Sequence, residues 1–181
     1  MIEHQIEHLS WSSMNSFETD IHSFYERYVL NQTPAFPDNV VKAMEFGKNY
    51  ELMLWENQYK GWDTQKECEF IIDWYKAYGL FDFYHSQNED IVEVKTKSKW
   101  RTEKEIKESR QFRIYNYWCN RNDFRFMIHQ FNKKENEARV ETINRDDGTF
   151  EEDFVKKAQQ IEKFLNQFNV WIKKYVIQES K

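Results

Sequence analysis

Proline and glycine are scarce here, with two prolines and four glycines in 181 residues. That scarcity excludes a linker-rich or low-complexity chain and implies dense regular structure, in keeping with an 18% share of aromatics. No internal repeat is visible. Two isolated cysteines, Cys68 and Cys119, are too few for a disulfide framework, a zinc site or an iron-sulfur cluster, so an intracellular protein with reduced thiols is expected. No apolar run is long enough to span a membrane. The polar start MIEHQIEH lacks the basic end and apolar centre of a signal peptide, which predicts a cytoplasmic protein with no membrane contact. The length suits one domain over residues 1–181 with a substantial core.

A net charge of -5 weighs against indiscriminate nucleic-acid binding, since phosphate affinity comes from clustered lysine and arginine. The distribution says more than the sum. Between Lys95 and Arg113 eight basic residues (Lys95, Lys97, Lys99, Arg101, Lys104, Lys107, Arg110, Arg113) face three acidic ones, a local excess of five positives.

Phe17, Ile21, Phe24 and Tyr28 lie three or four residues apart and predict a first helix over 13–29, capped by Ser12 or Ser13. Pro34 and Pro37 break the chain before a second helix from about Asp38 to Trp55. Its inner stripe reads Val40, Ala43, Met44, Gly47, Glu51, Leu54. A carboxylate on that stripe needs a neutralising partner, because burying it alone is costly. From Glu67 to Lys99 the pattern turns to strands, with HSQNED as the turn between the last two. In IVEVKTK a period of two puts Ile91, Glu93 and Lys95 on one face and Val92, Val94 and Thr96 on the other.

Thr102 and Glu105 predict a capping box for a helix to about Trp118, with Gln111 and Tyr115 on one stripe. FRFMIHQFNKK and ARVETIN read as two antiparallel strands. A second box, Thr149 with Glu152, opens a closing helix over about 150–177, buried through Phe154, Ala158, Ile161, Leu165, Phe168 and Ile172. The economical arrangement is α/β, a central mixed sheet flanked by helices with a long C-terminal helix.

Asp82 and Glu93, on adjacent strands of one hairpin, can converge on a hard cation such as Mg2+ or Mn2+. Lys95, on the face of Glu93, can orient a water or offset developing negative charge. The Val94 backbone carbonyl and Glu51 are further candidate ligands. Alone, E-x-K says little, and the same pattern at Glu105 and Lys107 falls on a predicted helix. The order raises it: LSWSSMNSF, then G-x-x-x-E at Gly47 to Glu51, G-x-x-D at Gly79 to Asp82, E-x-K-T at Glu93 to Thr96, and Q-x-x-x-Y at Gln111 to Tyr115.

That order resembles the PD-(D/E)XK nuclease superfamily, in its RecB-like and phage exonuclease branch, over residues 9–130. The resemblance implies a restriction-endonuclease-like fold and a metal-dependent deoxyribonuclease, an exonuclease of phage or bacterial recombination and DNA processing. It implies Mg2+ or Mn2+ held by Asp82, Glu93, Glu51 and the Val94 carbonyl, with Lys95 as the catalytic lysine. DNA would be contacted by Gln111, Tyr115, Lys97, Lys99, Arg101 and Arg110. Implied partners are DNA, a helicase or annealing protein, and further copies of the chain. Two departures stand out. Tyr50 occupies the place of the family's usual histidine, and the cysteines of iron-sulfur members are missing, one replaced near Asp20, so no cluster is expected.

Other readings differ in class. A catalytically inert descendant would bind DNA or a protein, and a purely structural protein would do neither chemistry nor DNA binding. His4 and His8 read as a solvated tail, His22, His85 and His129 as residues without partners, Trp100 as a base-stacking residue or a cover for the sheet edge, and Tyr50 as an aromatic facing the site.

Overall fold

The computed structural model describes residues 5–33, 35–143 and 148–175. His4, Pro34, the start of the predicted DDGTFEED turn and Val176 lie outside the described residues. The chain is a mixed α/β fold whose six-stranded sheet has the order β2-β4-β5-β6-β7, with β3 paired to β4. These strands are β2 (Leu9–Ser10), β3 (Asp63–Ile72), β4 (Tyr75–His85), β5 (Asp90–Lys97), β6 (Arg125–Asn132) and β7 (Glu137–Thr142). The strands β4 and β5 are antiparallel, β5 and β6 parallel, and β6 and β7 antiparallel. By internal contacts the chain forms two units, one of residues 1–35, 69–79 and 147–181, the other of 36–68 and 80–146.

In the first unit β1 (Gln5–Ile6) runs parallel to β8 (Trp171–Ile172), and β2 runs parallel to the start of β4. Helix α1 (Trp11–Thr19) is capped by Ser10 in a reciprocal box with Ser13, two residues earlier than the sequence suggests. It stops at Asp20, whose carboxylate accepts from the His22 and Ser23 amides and opens α2 (Ile21–Phe24) and a π-helical turn over Tyr25–Val29. The expected single helix is therefore broken. Phe24 packs edge-on to Phe17 and Phe164, whereas Ile21, placed on the same stripe by sequence, is exposed. Helix α6 (Phe150–Leu165) buries Phe154, Ala158, Ile161 and Leu165 as expected. Thr149 makes no capping hydrogen bond to it. The helix ends eleven residues before Val176, in a 3-10 turn (Asn166–Phe168) closed by Asn169 at φ 55°, so Phe168 is exposed and Ile172 belongs to β8.

In the second unit, α3 (Asp38–Asn57) lies on one face of the sheet and α5 (Arg110–Arg121) on the other. Phe83, Val92 and Val94 pack with Leu54 and Tyr59 on the α3 side. Phe81, Tyr84 and Phe126 pack with Tyr115, Trp118, Phe112 and Phe124 on the α5 side. The Thr102–Glu105 capping box forms as predicted, but it opens only the short α4 (Glu103–Lys107). Ser109 then adopts an extended backbone, so the chain redirects before α5, which lays Phe112, Ile114, Tyr115 and Cys119 inward.

Of the 20 residues of α3 only Leu54 is buried. Val40, Val41, Met44, Leu52 and Trp55 remain exposed. The predicted stripe through Ala43, Met44, Gly47 and Glu51 thus lines an open cleft rather than a core. The α3 side of the sheet instead depends on a few aromatics. Phe83→Ala, at 1% exposure in the centre of that cluster, is expected to cost about 3–5 kcal/mol in urea unfolding.

Candidate functional site

Strand β5 is buried from Asp90 to Val94. The alternation read from the sequence holds, with Val92 and Val94 in the α3-side cluster while Glu93 and Lys95 meet Gln111 and Phe112 of α5. Its antiparallel partner leaves the ladder early. Pairing runs His85 with Asp90, Tyr84 with Ile91 and Phe83 with Val92, and stops there.

The next residue, Asp82, turns its carboxylate onto the strand it would have paired with, and Oδ2 accepts from the Val94 amide at 2.7 Å. Alternation along β4 shifts at the same place, since Phe81 and Tyr84 face the α5 side and Phe83 the α3 side. A bulge of this kind re-aims a side chain and ends pairing. In a strand, one residue's N–H and C=O point the same way. The Val94 carbonyl therefore also faces the side that β4 has vacated.

Glu93 is 2% exposed. Its Oε1 is held by the Lys95 ammonium and by the Gln111 amide at 2.8 Å. Its Oε2 is buried with no hydrogen-bond donor among the described residues. Burial, with the Asp82 carboxylate alongside, pushes the Glu93 pKa up to about 8 against the pull of Lys95. Glu51, on α3, is pushed up to about 7 by burial and then by Asp82, with Lys95 and Lys48 opposing. Burial works against the Lys95 ammonium, but Glu93 and Asp82 outweigh it and hold the lysine above its ordinary range. Lys95 acts on all three carboxylates, with Lys48 aiding only Glu51, and the buried orphan oxygen marks where positive charge is missing.

A hard divalent cation fits that deficit, because the donors are carboxylate oxygens with a backbone carbonyl beside them. Among the described residues no three acidic, histidine or cysteine side chains are already gathered tightly enough to hold one.

The site opens into a cleft of about 1080 Å3 between α3 and the sheet. Glu51, Lys48, Asp82, Lys95, Lys97 and Gln65 line it, beside Phe36, Met44 and Trp55. Gln65 was not singled out from the sequence. It sits in β3 with φ +51°, a left-handed conformation uncommon for a side-chain-bearing residue, and its amide donates to Asp82 Oδ1 at 3.3 Å. No periodicity signals such a residue.

Other candidates fall elsewhere. Tyr115 is buried, its hydroxyl donating to the Leu80 carbonyl at 2.7 Å, and Gln111 turns inward to Glu93. Lys99 is exposed, and Arg101 and Arg110 are half-buried. Tyr50 does not line the cleft. It stacks on Phe131, and its hydroxyl meets His129 Nε2 at 3.0 Å. His129, expected to lack partners, is buried between Tyr50 and Tyr59, whose hydroxyl is 3.2 Å from Nδ1, and burial lowers its pKa. Trp100 donates to Glu135 and lies 4.0 Å from the Arg139 guanidinium, a cover for the β6–β7 end of the sheet. No helix among the described residues is long and apolar enough to cross a membrane.

No family model matches the sequence, and no curated protein does. Solved structures share the fold. The crystal structure of a protein named "Putative exonuclease" from Eubacterium rectale is 11% identical, with 97% of this chain and 91% of that one covered at a TM-score of 0.59. The crystal structure of SSO0001 is 13% identical, with 88% and 77% covered at 0.55. At these identities the likeness is one of fold.

The shifted carboxylates set a pH dependence. Glu93 and Glu51 hold protons in the folded chain at pH values where unfolded glutamate, near 4.5, has released them. The folded state thus binds more protons over about pH 4.5–8, and stability without divalent cations should fall as pH rises through that window. His129, kept neutral, acts oppositely below about pH 6.5. In EDTA the urea midpoint of Glu93→Gln is expected to vary less between about pH 6.5 and 8 than that of the parent. An unchanged slope contradicts the assignment.

Proposed function

We propose that this chain is a metal-dependent nuclease hydrolysing DNA phosphodiester bonds, acting as an exonuclease in DNA processing. The observation that carries the reading is Glu93: a buried carboxylate with one oxygen fixed and the other without a donor among the described residues, beside Asp82 and Lys95, which line the cleft. The fold shared with a protein named an exonuclease supports it at the level of architecture. Asp82, Glu93 and the Val94 carbonyl, with Glu51 from across the cleft, would hold Mg2+ or Mn2+. When bound, such an ion supplies Lewis acidity and lowers the pKa of a coordinated water.

The chain's own groups divide the remaining work. The amide of Gln111 fixes Glu93 Oε1 and leaves Oε2 facing the deficit of positive charge. Gln65 and the Val94 amide fix both oxygens of Asp82. Lys95, held protonated by its carboxylate neighbours, cannot accept a proton from water. As an ammonium it can donate a hydrogen bond, orienting the attacking water or offsetting charge gathering on a phosphate oxygen in the transition state.

A second reading has one observation in its favour. Tyr50, at the family's histidine position, is committed to His129 and Phe131 and offers the cleft nothing. A chain so altered would bind DNA without cutting it. In that case it would serve as a DNA-binding or protein-interaction module.

With Mg2+ or Mn2+, the purified protein is expected to degrade linear duplex or single-stranded DNA. Glu93→Ala and Lys95→Ala should each slow this by about 10²–10³-fold, the usual effect of removing one group that stabilises transition-state charge. DNA binding without cleavage under all these conditions selects the second reading. Full activity in both variants removes the catalytic assignment.

In calorimetry, Mn2+ affinity is expected to rise from about pH 6 to about pH 8, because metal competes with the protons on Glu51 and Glu93. Asp82→Asn should weaken binding at every pH. A pH-independent affinity contradicts this ligand set.

A further inference from the structure

Just past the carboxylates the charge on the sheet reverses. Lys95 and Arg101 both approach the buried Phe112 ring, with Nζ at 5.9 Å and the guanidinium carbon at 5.7 Å from its centre. The Arg101 loop is pinned by the buried Gln130, which accepts from its amide at 3.0 Å and donates to its carbonyl at 3.3 Å. Gln130 is also the register partner of Lys95 on the neighbouring strand. Lys97 is the last residue of β5, and its carbonyl accepts from the Lys133 amide at 2.7 Å. The Lys133 ammonium rests 4.2 Å over Phe46 of α3, whose ring stacks on Phe131. Backbone hydrogen bonds, a buried amide and two aromatic rings thus hold Lys97, which lines the cleft, Arg101 and Lys133 near the end of β5.

Among the described residues no carboxylate forms an ion pair with these three. Burial, and then the charges of Arg101, Lys95 and Lys133, lower the pKa of Lys97. Glu105 lies near enough to Arg101 to feel its charge without pairing with it, and like charges held together are unfavourable. An anion resolves the repulsion.

Resting on the nuclease reading, we propose that Lys97, Arg101 and Lys133 form a phosphate subsite that grips the nucleic-acid backbone a few nucleotides from the scissile position. Lys97 lies four positions after Glu93 on β5, a distance of about 13 Å at the usual rise of an extended strand. The same strand therefore carries both the hydrolytic carboxylate and the first grip on the backbone. Such a contact is independent of base sequence and sets the register of the bound strand. Lys133 lies outside the basic run that the sequence displays and joins it only through the β5–β6 pairing.

The test is anisotropy of a labelled twelve-nucleotide DNA, single-stranded and duplex, titrated in EDTA at several salt concentrations. Relative to the parent, Lys97→Ala/Arg101→Ala/Lys133→Ala should lose at least tenfold in affinity. Its plot of log affinity against log salt should be shallower, by roughly one unit per phosphate-contacting cation. A control triple at exposed positions, Lys60→Ala/Lys104→Ala/Lys156→Ala, should change both far less. Lys133→Gln keeps the stem over Phe46 and is expected to lose about threefold, which covers the case of a triple variant that does not fold. Equal losses in the two triples, or a Lys133→Gln protein that binds like the parent, overturn the subsite. Cleavage with Mn2+ is scored separately: binding through these cations without hydrolysis refutes the nuclease reading and leaves the subsite standing.

Discussion

The second unit is organised around a carboxylate that the chain has buried without satisfying. Burying Glu93 is costly unless both oxygens find positive charge or donors, and the structure provides for only one of them. Lys95 and Gln111 serve Oε1, while Oε2 is buried without a donor among the described residues. The rest follows from that imbalance. The early end of the β4–β5 ladder, the Asp82 bulge and the strained Gln65 all bring polar groups to the same place. Backbone strain of this sort persists where the surroundings over-determine it, as at binding and catalytic positions.

A second consequence is electrical. Along a few residues of β5 the surroundings pass from three carboxylates to a cluster of cations, and the cleft runs beside both. A phosphodiester strand is suited to that gradient, because its charge is attracted by the cations and repelled by the bare carboxylates. Divalent metal would remove the repulsion and admit the backbone to the hydrolytic end. On this account metal binding and DNA binding are coupled through the charge of the cleft.

Much of this was legible in the sequence, because strong periodicity survives folding. The alternation in IVEVKTK placed Glu93 and Lys95 on one face, and the hairpin placed Asp82 beside them. The mixed sheet and the buried face of α6 followed from the same kind of pattern. The misses share a cause: positions where a tertiary hydrogen bond or a change of chain direction overrode local pattern. Asp20 breaks the first helix by capping a new one, and Ser109 breaks another by going extended. The α3 stripe looked like core and lines a cleft, since periodicity reports which side is apolar and not what covers it. His129 and Gln65 carry no local signature, and their partners lie 79 and 17 residues away.

The most direct measurement is a crystal of the protein soaked in Mn2+, read by anomalous diffraction. The account predicts a peak bounded by Asp82, Glu93 and the Val94 carbonyl, with Glu93 Oε2 as a ligand. Absence of a peak there at saturating Mn2+, with Lys95 still holding Glu93, would contradict it.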